Sequence, residues 1–190
     1  MQFMLDHIAA ALVYMTVAFL IAFTQIRATS ETIEQTIAYA SKKQILELAD
    51  LLEQELALIG EGMPPNQQIT NVVTNTQGET TSFIFWRNDG IDDLLIEYRL
   101  VFVDSVTVGQ DTFALYRMDR YVNSVLDGGS QATLKNFRLD PLNASGNIVS
   151  PDAAKLVRAT VVSTYPLGDL DDMYIGQTHW GITIQPMNLN

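Results

Sequence analysis

The chain has no cysteine, only two histidines among 190 residues, and neither glycine nor proline before Gly60. Without cysteine there are no disulfides and no thiolate metal sites. The two histidines, His7 and His179, lie at opposite ends of the sequence, so no H-E-x-x-H helix or other histidine-based metal spacing exists. Neither G-x-S-x-G nor a phosphate-cradling P-loop occurs, and the residues announce no active site. The expectation is a non-enzymatic protein without a cofactor.

Basic residues are also scarce: 11 Lys and Arg face 22 Asp and Glu, a formal net charge of −11. Residues 1–30 hold one acid, Asp6, and one base, Arg27, so the whole excess falls on residues 31–190. Such a surface repels phosphate backbones, which excludes nucleic acid as a partner. Three acidic groups, Asp89 with Asp92 and Asp93, Asp127, and Asp169 with Asp171 and Asp172, read as solvated turn acids, since none follows the EF-hand order. Asn143-Ala144-Ser145 has the acceptor-sequon form in an evident loop.

Absence of helix breakers over the first 59 residues predicts a helix of about 90 Å at ~1.5 Å per residue, some three times a bilayer's hydrocarbon thickness. Its first part, Ile8 to Ile26, is nineteen residues without a charge and is long enough to span a membrane. A signal peptide would open on basic residues and end in a small-residue cleavage site, and neither is present, so the segment is expected to be retained. Arg27, Lys42 and Lys43 all follow the span and would place the domain inside, but long domains translocate largely regardless of charge. Asp6 stands at the edge of the apolar run, either in the headgroup layer or, if apolar helices pack on each other, buried against a cation such as a neighbour's N-terminal ammonium.

The Thr-rich stretch from Thr24 to Thr36 contains weak helix formers and is the expected place for the helix to loosen, with Ser30 or Thr32 able to cap a second piece. Beyond it, Ile33, Ile37, Ala40, Ile45, Leu48, Leu52, Leu56 and Ile59 draw one apolar stripe predicted to cover a sheet. Glu31, Glu34, Glu47, Asp50, Glu53 and Glu55 are expected to surround that stripe with solvated charge. Gly60, Gly62, Pro64 and Pro65 end the helix.

From residue 63 onward, short β-type runs alternate with turns. SFIFWR at 82–87 and LLIEYRLVFV at 94–103 predict a hairpin around Asn88-Asp89-Gly90. Further strands are predicted at 112–118, 133–139, 155–164 and 179–185, while 66–81 is either a loop or a strand. No helical pattern alternates with the strands, so the fold class is α+β: a long N-terminal helix on an antiparallel sheet. Three segments follow: an apolar helix at 1–30, an amphipathic helix at 31–62 and a β domain at 63–190.

In this order, the apolar helix with its early acid, LADLLEQELALIG at 48–60, FIFW before Asn88-Asp89-Gly90, IEYRL, ALYRMDR, SVLDGGSQATLKNFRLD and KLVRATVVS, the chain resembles type IV pilin-like proteins, in particular W-type minor pilins and J-type pseudopilins. The resemblance implies a helix that sits in the inner membrane before assembly and at the centre of an extracellular filament afterwards. It implies copies of the same chain and a pilus or secretion assembly machinery as partners. The family's early acid, usually Glu at the fifth mature position, pairs with a neighbour's N-terminus; Asp6 is one position later and one methylene shorter. The usual leader ending in Gly is absent, which implies a processed chain or insertion without that cleavage.

The expected assembly surface comprises Met1, Phe3, Leu5, Asp6, Leu12, Phe19 and Phe23. The expected function is that of a structural filament subunit at the cell surface. The alternatives are a single-pass membrane-anchored β domain that binds a ligand or partner, and a minor pseudopilin of a type II secretion system. Adhesion, motility, secretion and conduction are all open as the filament's role.

Overall fold

In the computed structural model of the chain, the residues ahead of Gly60 form one unbroken α-helix, α1, Gln2–Ala57. The structure describes residues 2–64, 67–130, 133–168, 174–186 and 188–189. At ~1.5 Å per residue α1 is about 84 Å long. The expected loosening at 24–36 does not occur. There the hydroxyls of Thr24, Thr29, Thr32 and Thr36 each donate to the carbonyl four residues back, at 2.8–3.0 Å, so the polar side chains are satisfied within the helix and need no cap.

Two glycines stop the helix. Gly60 (φ 75°) and Gly62 (φ 73°) adopt the left-handed conformation that closes helix C-termini, and the Gly60 amide donates to the Trp86 carbonyl at 2.7 Å. A Cβ on Gly60 would sit 2.2 Å from the Gln68 side chain, so this crossing of helix end and sheet requires glycine.

The remainder is an eight-stranded antiparallel sheet: β1 Ile69–Thr74, β2 Thr80–Asn88, β3 Asp93–Val108, β4 Asp111–Val122, β5 Val125–Gly129, β6 Leu134–Leu142, β7 Leu156–Leu167 and β8 Tyr174–Ile184. The order is β1-β2-β3-β4-β6-β7-β8, with β5 paired to β4 alone. The segment 66–81, open between loop and strand, contains β1. The predicted hairpin is β2–β3, in register from Asn88↔Asp93 to Ser82↔Arg99. Its turn is built by Asn88 Oδ1, which accepts from Gly90 N at 2.6 Å, and by Asp89 Oδ1, which accepts from the amides of Ile91 and Asp92 at 2.9 Å. Those backbone bonds hold the Asp89 carboxyl below its usual range.

Ahead of the strand predicted at 133–139 the chain forms a further short strand, β5. It folds back on β4 through Asn123 (φ 49°) and Ser124 (φ 68°), the conformation of a two-residue hairpin turn made without glycine.

Among the described residues β4 and β6 pair only at Tyr116↔Leu134, and below that point the sheet folds back on itself. The Thr80 hydroxyl of β2 accepts from Leu139 N at 2.9 Å and donates to Leu139 O at 3.3 Å on β6, although two strands separate them in the sheet order. The core fills the fold: Phe83, Phe85, Ile96, Tyr98, Met118, Phe137, Leu139, Val157 and Val161 from the sheet, and Ile45, Leu48, Leu52, Leu56 and Ile59 from the end of α1 and its exit. The burying stripe starts at Ser41, whose hydroxyl lies 3.2 Å from that of Ser163. The first part of the predicted stripe is not on the sheet: Ile33 is 54% and Ile37 37% exposed.

Because the core closes on residues after Ser41, a fragment spanning 31–190 should fold and unfold as a cooperative monomer. Within it, Leu52→Ala, which empties a fully buried position, should cost about 2–5 kcal/mol in a denaturant titration.

Candidate functional site

Two features stand out: the free half of α1 and the charged cluster that fixes its other half to the sheet. Phe3 (76% exposed), Leu5 (65%), Leu12 (61%), Phe19 (70%) and Phe23 (57%) touch none of the protein's own core. At 3.6 residues per turn, Leu5, Leu12, Phe19 and Phe23 fall on one face. Phe3 lies nearly opposite Leu5, stacked on His7 with centroids 4.5 Å apart, and Asp6 is about 100° round from Leu5. Met1 lies outside the described residues. No ion pair of Asp6 is found among the described residues. Apolar side chains on every side of a helix are the pattern of one enclosed by lipid or by other helices, and this is the one helix long and apolar enough to cross a membrane among the described residues.

The second feature centres on Glu55, expected to be a solvated acid and found 3% exposed. Arg120 donates to both its oxygens, through Nε at 3.1 and 3.0 Å and also through Nη2. The Tyr98 hydroxyl donates to Glu55 Oε2, and Arg87 Nη1 stands 3.6 Å from Oε1. Arg120 also pairs with Asp127 of β5. The cluster holds two carboxylates and two guanidiniums, so its formal charges balance, with Glu55 buried and Asp127 at the exposed rim. Burial, then the Glu55 charge and hydrogen bond, push the Tyr98 phenol well above its usual pKa. Burial alone would lower Arg120, but its bond to Glu55 and the nearby negative groups outweigh that and raise it. One sequence signal did point here: Glu55 sits seven residues after Leu48 and three after Leu52, inside the apolar stripe rather than beside it.

Other polar pairs are local to the sheet. Asp140, 5% exposed, accepts from Arg138 at 2.7 Å and Arg158 at 3.0 Å. His179 is exposed on β8. Among the described residues no group of three or more His, Asp or Glu is placed to hold a metal ion, and Asp169, Asp171 and Asp172 lie outside them. A hollow of about 210 Å³ between the β3–β4 hairpin and β7–β8 is lined by Val106, Leu115, Thr133, Thr164, Tyr165 and Ile175.

Glu55→Ala leaves two half-buried guanidiniums short of their partner and should destabilise the domain by up to about 3–5 kcal/mol. The Tyr98 phenol, with a raised native pKa, contributes stability that is fully present below its unfolded pKa of about 10 and is lost as pH climbs through the higher native value. Tyr98→Phe should therefore flatten the alkaline fall in stability, read as melting temperature against pH from 9 upward.

Comparison with protein-family models, with curated proteins and with solved structures finds no match for this chain.

Proposed function

We propose that the protein is a structural subunit of an extracellular type IV pilus-like filament, polymerising through its N-terminal apolar helix and held in the inner membrane before assembly. One observation carries the reading. The most apolar part of α1 buries nothing inside its own fold, while the rest of the chain closes a complete core without it. Exchanging lipid for other copies of the helix would bury about twenty apolar side chains per subunit, at ~1.5–3 kcal/mol for each large one, enough to hold a fibre without an enzyme. Contacts of one face with a different face of the next copy generate a helix where they do not close into a ring. The order of motifs that resembles W-type minor pilins and J-type pseudopilins supports the same reading.

A single-pass anchor presenting the β domain is the second reading, and the same helix favours it by length and composition. That reading accounts for residues up to about Ile26, since a span needs only ~20 residues. It gives no reason for the exposed apolar side chains that continue beyond, at Ile33 and Ile37.

The two readings part at Asp6. In the filament its carboxylate pairs with a neighbour's N-terminal ammonium, so Asp6→Ala should remove the protein from the fibre fraction sheared off cells while the membrane-bound amount stays unchanged. Undiminished fibres from that variant contradict the pairing. A small detergent-stable oligomer in the wild type, with no sheared fraction, supports the anchor.

A further inference from the structure

We propose that Ile26, Ser30, Ile33 and Ile37 form a seam along which two copies of α1 pair in parallel, beyond the apolar span. The proposal rests on the reading of α1 as an assembly helix and names the face and the partner that the reading leaves open.

Between Arg27 and Tyr39 the large aliphatic residues, Ile33 and Ile37, lie on one face. Leu5, Leu12, Phe19, Ile26, Ile33 and Ala40 recur at intervals of seven, and Ala9, Thr16, Phe23, Ser30 and Ile37 follow each of the first five by four. This is the 3.5-residue period of a coiled-coil seam, and it runs without interruption from the apolar span through the Thr-rich stretch. Ile26 is 71%, Ile33 54% and Ile37 37% exposed, so the seam has no occupant among the described residues. Around Ile26, Thr29, Ser30 and Ile33 the helix surface is hollowed, with Ala22 and Gln25 on its rim. Four residues in that spacing make the hole that receives one side chain of a facing helix, and the small Ser30 and Thr29 let that helix approach closely.

The occupant is a second copy for two reasons. A seven-residue repeat is self-complementary to another helix with the same repeat, not to a sheet. The seam also diverges from the face that packs on the sheet. Around the helix axis Ile33 points about 80° and Ile26 about 60° away from Ser41, while Ile37 and Ser30 stand about 40° and 20° from it. The exposure of Ile26, Ile33 and Ile37 puts the described part of the β domain beside the seam rather than over it. Two helices leaving the same side of one membrane run in parallel.

The absence of cysteine makes the test direct. Single cysteines placed at 26, 30, 33 and 37, and at the off-seam positions 28, 32 and 35, are introduced into the full-length chain in native membranes and oxidised with copper phenanthroline. Disulfide dimers should form at the first four positions at least fivefold more than at the other three, and Ile33→Lys combined with Ile37→Cys should abolish them. Equal dimerisation at all seven positions, or a maximum at 28, 32 and 35, overturns the seam. Dimers at Phe19→Cys in sheared fibres without dimers at the four seam positions also overturn it and leave the filament standing. Seam dimers in membranes that yield no sheared fibres uphold the seam and overturn the filament.

Discussion

The constraint on which the rest of the structure depends is that one helix carries two apolar surfaces and its own domain covers only one of them. From Ser41 onward one face of the helix packs on a folded-back sheet and is buried. Before that it is apolar or apolar-seamed and uncovered for more than half its length. In water an exposed surface of that size is unfavourable by roughly 25 cal/mol per Å², so it has to be met by lipid or by protein. The continuous helix joins these two environments rigidly, since the Thr hydroxyls are satisfied along its own backbone and no glycine or proline interrupts it.

The buried cluster around Glu55 sets how the two halves are aligned. A packed apolar face alone tolerates sliding, whereas a carboxylate gripped by Arg120, Tyr98 and Arg87 has one position. Arg120 extends the grip to Asp127 on β5, so the short strand outside the main sheet order is tied to the same point. On the proposed reading, this fixes the direction in which each β domain projects from its helix, and hence the geometry with which copies meet.

Much of this was legible in the residues. The helix and its end at Gly60, and six of the strands, follow from breakers, turn residues and alternation. What escaped has physical causes. β5 turns on Asn123-Ser124 in left-handed conformations, without the glycine that marks such hairpins in sequence. The Thr-rich stretch looked weak because propensity counts the entropy of branched side chains and not their bonds to the preceding turn. Glu55 was taken for a surface acid because its partners Tyr98 and Arg120 are 43 and 65 residues away. The stripe from Ile33 to Ile59 was read as one face; in fact its first members turn off the sheet and its later ones do not. Of the candidate assembly residues, Leu5, Leu12, Phe19 and Phe23 share a face, while Phe3 and Asp6 point elsewhere.

The most direct test of the central claim, that the uncovered helix is an assembly surface, is helical reconstruction by cryo-electron microscopy of fibres sheared from cells making this protein. The account predicts a fibre whose axis is filled by parallel helices from Phe3 to Ile26, with the β domains outside and no lipid between. A fibre with β domains on its axis, or a chain that stays in the membrane and yields no fibre, would contradict it.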